Sequence, residues 1–163
     1  RVREYIDQSL EKARSAGFVQ TLFGRRRYVP NLGSKNRMVR MAAERVAINA
    51  PIQGTAADLM KLAMIRVQDR MDREGVKAKI ILQVHDEIVL EFPTSEEEPL
   101  SALVREEMEQ VFSLKVPLSV NVVTGENWAE LIPLPVAPAP GNTPGSFLGE
   151  TVRRVLVEGE ADE

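Results

Sequence analysis

The stretch Gln83-Val84-His85-Asp86-Glu87-Ile88-Val89-Leu90-Glu91 sets three polar residues, two of them adjacent acids, between two apolar runs. Ile80, Ile81, Leu82 and Val84 lead in and Ile88, Val89, Leu90 and Phe92 lead out, so the pattern predicts a buried hairpin interrupted at its turn. Burying charge there is costly without compensation. Two neighbouring carboxylates repel unless a cation sits between them, and hard oxygen ligands suit Mg²⁺. Asp86 is therefore the candidate metal ligand, and Glu87 a second ligand or a residue that tunes the first; the plainer alternative is an ordinary polar turn. His85 is the sole histidine, which excludes sites that gather several histidines around metals. Upstream, Arg25, Arg26 and Arg27 form a cationic run whose guanidinium forks match phosphate oxygens, and Lys35, Arg37 and Arg40 extend it. Arg45, Asn49 and Gln53 are spaced four apart, which on one continuous helix puts them on one face, although Pro51 is expected to disturb the last step.

The elements that must position these residues follow from periodicity. Val2, Tyr5, Ile6, Leu10 and Ala13 recur at helical spacing, and Gly17 stands where a left-handed helix stop belongs. Phe18 to Leu32 reads as a tight turn or small hairpin with a basic tip around Gly24. Met38 to Asn49 is helical, with Pro51 expected to end that helix and Thr55 to Arg73 to form another, stopped by Gly75. Met60, Met64 and Met71 read as core. After the hairpin, Thr94 or Ser95 starts a helix that turns Leu100, Leu103, Val104, Val111 and Phe112 inward and Glu106, Glu107 and Glu109 outward. Leu118, Val120 and Val122 alternate as a third strand. Three antiparallel strands backed by helices make an α+β layer. Five prolines between Pro133 and Pro144 mark a linker, and Phe147 to Glu163 is expected to form a short amphipathic helix.

The chain of 163 residues is long enough for a packed core, and no apolar run reaches the ~20 residues that span a bilayer. No signal-peptide pattern opens it, and the absence of cysteine removes disulfides and sulfur-based metal sites and fits a cytoplasmic setting. The net charge of −3 conceals a polarity: residues 1–50 carry +7, residues 51–90 are neutral and residues 91–163 carry −10. Attraction to phosphate is concentrated at one end, so the acidic pI does not argue against nucleic acid. A first residue Arg with a helix already under way leads us to expect a piece of something longer or one product of a split gene.

The His85-Asp86-Glu87 run closely resembles the palm motif of family A DNA polymerases, the bacterial DNA polymerase I type. Leu22-Phe23-Gly24-Arg25-Arg26-Arg27-Tyr28 and the segment Glu44 to Lys61 agree with that family in order and spacing, and the resemblance covers roughly residues 1 to 131. It implies a small antiparallel palm sheet backed by helices with the end of the helical fingers, a partial domain, followed by a linker at 132–146 and a tail at 147–163. It further implies that Arg45, Asn49 and Gln53 contact the minor groove, where acceptors lie at similar places in every correct base pair, and that His85 touches the primer terminus. The implied reaction extends a primer 3′ end on a DNA template by two-metal nucleotidyl transfer from a dNTP. The family's other metal-binding Asp, in an Asp-Tyr-Ser motif, and its nucleotide-binding helix are not found in this sequence. The two-Mg²⁺ site would be completed by an N-terminal remainder of the polymerase, and the chain alone is expected to be inactive. Asp58, the one other candidate carboxylate, is read as complementing a helix N-terminus. The competing expectation is a non-catalytic DNA-binding or interaction module derived from a palm.

Overall fold

The computed structural model describes residues 1–127, 130–134 and 152–158, with Pro133 and 152–158 described by their backbone alone. They fall into two compact units, Arg1–Leu59 and Met60–Glu163, with the boundary inside a long helix.

In the first unit, helix α1 (Val2–Ala16) ends at Gly17, whose φ of 76° lets its N–H reach the Ala13 carbonyl at 2.9 Å; glycine adopts this left-handed cap without a Cβ penalty. Strands β1 (Phe18–Gln20) and β2 (Arg26–Tyr28) then form the expected small hairpin, with Phe18 opposite Tyr28 and Val19 opposite Arg27. Helix α2 (Arg37–Glu74) starts beside Asn36, whose Oδ1 accepts the N–H groups of Met38 and Val39, satisfying donors the helix itself cannot. Ala43, Ala47 and Ala50 of α2 pack on Ala13, Val19, Val29 and Leu32. Small side chains on that face of α2 let the neighbouring elements approach closely.

Pro51 does not end the helix. It sits inside a single 38-residue α2, although an interior proline removes one hydrogen bond and crowds the preceding turn at about 3 kcal/mol. The alanine core holds the turn before it, and after it Thr55 Oγ1 donates to the Pro51 carbonyl at 2.6 Å. Tertiary packing here outweighs the local preference.

In the second unit, Met60, Ala63, Val67 and Met71 bury one face of α2, as expected for Met60 and Met71, whereas Met64 is only half-buried, and Gly75 follows the helix at φ 68°. Helix α3 (Glu97–Glu109), preceded by a 3-10 turn at Thr94–Glu96, buries Leu100, Leu103, Val104 and Met108. Glu106, exposed as expected, and Glu107, half-buried, bind Arg70 of α2 at 2.7 and 3.2 Å, and Glu74 joins at 2.8 Å. By accepting Arg70 N–H groups, Glu74 first and then Glu106 raise the Arg70 pKa further, so its guanidinium is a permanent cation between α2 and α3.

Strands β3 (Lys79–Val84), β4 (Glu87–Phe92), β5 (Val120–Gly125), β6 (Ile132–Pro133) and β7 (Val152–Glu158) form one sheet in the order β3-β4-β7-β5-β6. The α+β class stands, with antiparallel β3–β4 and β5–β6 pairs. Two expectations need correction. The β3–β4 hairpin is buried on one strand only: Ile88, Val89 and Leu90 are inside, but β3 is the sheet edge, and Ile81 and Leu82 are 51% and 42% exposed beside a register shift between Ile80 and Leu82. The helix expected within 147–163 is replaced over Val152–Glu158 by strand β7, parallel to both β4 and β5. Its run Val155-Leu156-Val157 suits a pleated, two-sided environment better than a helix surface. Trp128, the rest of the expected linker and the flanks of β7 lie outside the described residues. Among the described residues no helix is long and apolar enough to cross a membrane.

Candidate functional site

The acidic pair is held by the hairpin. Val84 pairs with Glu87, leaving His85 and Asp86 as a two-residue turn, and His85 takes φ 52°. Glycine usually fills such a position, and for other residues it costs about 1–2 kcal/mol. Gln83 Nε2 donates to the His85 carbonyl and steadies the turn. His85 and Asp86 are exposed and Glu87 is half-buried. Directly after them, β4 runs through Ile88, Val89 and Leu90, all at most 2% exposed. An open acidic tip thus stands on a strand fixed by packing on both faces.

The donor chemistry fits Mg²⁺ in kind. Both side chains are carboxylates, both lie at an open turn, and no neighbouring cation in the described structure is bonded to either. The set is short in number, since among the described residues no group of three or more His, Cys, Asp or Glu could hold a metal. Two carboxylates alone do not make a complete coordination sphere, so any metal held at this turn needs further donors from elsewhere.

A second set of residues lies in the first unit. Because α2 continues through Pro51, Arg45, Asn49 and Gln53 share one helix with about 40° between successive members, and all three are exposed. Their face is opposite in character to the buried alanines at 43, 47 and 50.

The three arginines separate into different roles. Arg25 is exposed but bonded within the protein: its Nε donates to Asp58 Oδ1 at 2.8 Å and its Nη2 to the Gly54 carbonyl at 3.0 Å. Arg26 lies 4.7 Å over the Phe18 ring, a cation–π contact. Arg27 is exposed and, with Arg25, Thr21, Gln53 and Gly54, borders a cleft of about 50 Å³. The first unit thus joins Arg27 and Gln53 along one surface. Asp58 does not cap a helix, because α2 has no start there; it anchors Arg25.

Gly54 makes this arrangement possible, a role the sequence reading overlooks. A Cβ there would lie 2.6 Å from Thr21 Cγ2 and 3.3 Å from Arg25 Nη2. Thr21 cannot simply turn away, since its Oγ1 accepts the Arg25 N–H at 3.2 Å. The sequence reading places Gly54 in the break expected between two helices, where a glycine is unremarkable, so it carries no signal of this contact.

Residues 1–130 match the family model described as DNA polymerase family A. The chain is 53% identical over 127 residues to DNA polymerase I of Deinococcus radiodurans, covering 78% of this chain and 13% of that protein. It is 55% identical over 128 residues to the thermostable DNA polymerase I of Thermus thermophilus, covering 78% and 15%. Among solved structures, it is similar to the POL domain of Pol1 from M. smegmatis in complex with DNA primer-template and dNTP, with 49% identity and a TM-score of 0.68 over 71% of this chain and 20% of that one. The chain belongs to DNA polymerase family A. It spans about 13–15% of the length of the curated relatives it matches.

Replacing an interior helical glycine with alanine ordinarily stabilises by roughly 1 kcal/mol. Here Gly54→Ala is expected to destabilise, because the Thr21 methyl and the Arg25 latch must both move. Urea denaturation checks this; a variant at least as stable as the parent contradicts the close-approach role.

Proposed function

We propose that this chain is the fingers-end and palm portion, residues 1–131, of a DNA-directed DNA polymerase acting in replication or repair in the cytoplasm, with 132–146 a linker and 147–163 a tail. The observation that carries the proposal is the exposed Asp86-Glu87 pair on a rigid hairpin inside the stretch that matches the polymerase family. The substrates are primer-template DNA and a dNTP, and the partner is the remainder of the polymerase, on the same or a separate chain.

In this reading Asp86 and Glu87 hold Mg²⁺ together with a carboxylate from that remainder. The metal, when bound, stabilises charge on the attacking 3′ oxygen and on the α-phosphate as pyrophosphate leaves. The protein's own groups position the reactants. His85, held at the turn in its left-handed conformation, lies beside the reacting primer end. Arg45, Asn49 and Gln53 lie along the minor groove and donate to acceptors shared by all correct pairs, so a mispaired terminus loses contacts without any sequence being read. Arg27 and Arg26 attract backbone phosphates, whereas Arg25 acts through Asp58 to keep the loop that presents them in place.

Asp86→Ala in a polymerase domain containing these residues is expected to lower primer extension by roughly a thousandfold, equivalent to about 4 kcal/mol of barrier, while primer-template affinity changes less than about threefold. Retained synthesis contradicts the metal assignment.

The incomplete donor set among the described residues favours a second reading, a non-catalytic DNA-binding module. Both readings predict that Arg45→Ala, Asn49→Ala and Gln53→Ala weaken primer-template binding in fluorescence anisotropy, by about 1–3 kcal/mol for a lost bidentate contact. They part on synthesis: only the first survives Mg²⁺-dependent extension by the assembled protein. An unchanged dissociation constant in all three variants removes the groove assignment from both.

A further inference from the structure

β4, α3 and β5 form a split β-α-β unit. β4 and β5 run in the same direction, each pairs with β7, and β7 lies between them. Two parallel strands joined through a helix and separated by one strand leave a seat about two strand spacings wide, roughly 9.5 Å. Both walls of that seat lie inside residues 1–130, the stretch that matches the polymerase family, whereas β7 lies outside it. This chain accounts for only 20% of the solved relative's length, so a relative that shares the walls has further chain from which another segment could fill the seat.

The register shows what that segment would do. In β7, Arg154 lies opposite Ile88 and Arg153 opposite Asn121. A strand in this seat therefore reaches the level of Glu87 at the position Arg153 holds, one strand spacing of about 4.8 Å from β4. A carboxylate at that position would stand close enough to the Asp86-Glu87 turn to share a metal pair with it. In β7 the two register positions at this end of the strand, 153 and 154, are arginines and not carboxylates.

We propose that Val152–Glu158 is a plug strand. It occupies the seat built to receive the strand that carries the second metal-binding carboxylate, supplied by the rest of the polymerase, and it must leave before the metal site assembles. The metal part of this proposal rests on the function proposed above; the occupancy of the seat does not. While β7 is in place it pairs the inner edges of β4 and β5, which would otherwise present open backbone donors and acceptors.

The chain has no cysteine, so an engineered disulfide can report occupancy without background. Thr124 lies opposite Leu156, and neighbouring strands meet the distance a disulfide requires. The full chain carrying Thr124→Cys and Leu156→Cys is expected to form an intramolecular disulfide under mild oxidation at least about tenfold faster than the chain carrying Thr124→Cys and Val155→Cys, because a one-residue shift sends the side chain to the other face. Peptide mapping by mass spectrometry reads the product. Equal rates, or only intermolecular bonds, overturn the plug. Displacement is read with a fluorescently labelled probe, the polymerase-domain segment that precedes this region in the Deinococcus radiodurans relative. The first double variant is expected to bind the probe when reduced, and to bind it at least about tenfold more weakly once oxidation has cross-linked β5 to β7. Equal affinity of the two forms, or no binding by the reduced one, overturns the seat assignment. Neither readout contains metal, so retained synthesis by Asp86→Ala would remove the metal reading and leave the plug standing.

Discussion

The burial of β4 on both faces is the constraint from which the site follows. Ile88, Val89 and Leu90 allow no sliding by one residue, since each would exchange a buried environment for a different one. Glu87 begins this strand, and Asp86 precedes it in a two-residue turn closed by the Val84–Glu87 pair. The backbone that carries the two carboxylates is thus fixed by the hydrophobic packing of the residues that directly follow it. The cost is local: His85 holds an unfavourable backbone conformation, and a strained residue at such a turn is the kind of feature a reaction centre sustains.

The first unit solves a different problem with different means. It must keep a cationic loop and a polar helix face together while burying little besides alanine and valine. The solution is polar: Arg25 reaches Asp58 and the Gly54 carbonyl, and Thr55 bridges Pro51 to the Leu22 N–H. One of three exposed arginines, Arg25, is tied to Asp58 and Gly54, while Arg27 nearby borders the cleft.

Legibility in the sequence divided along the line between local and non-local causes. Gly17 and Gly75 stop helices because only glycine takes those φ values cheaply, and Val120 and Val122 alternate because one face of β5 is buried; such effects are written within a few residues. The persistence of α2 through Pro51 depends on a core contributed by α1 and the β1–β2 hairpin, and no window around Pro51 contains that information. The same holds for Arg25, whose partners Gly54 and Asp58 are about thirty residues away. The tail is legible only as a short amphipathic helix. Val152–Glu158 is a strand through its pairing with β4 and β5, partners that no window around it contains.

The central claim is that Asp86 and Glu87 form one side of a divalent-metal site. The most direct measurement is anomalous diffraction from Mn²⁺-soaked crystals of a polymerase domain containing these residues, bound to primer-template. The account predicts an anomalous peak within roughly 2.5 Å of an Asp86 carboxylate oxygen, shared with a carboxylate from outside residues 1–130. A fully occupied metal elsewhere in the same crystal with no peak near that turn would contradict it.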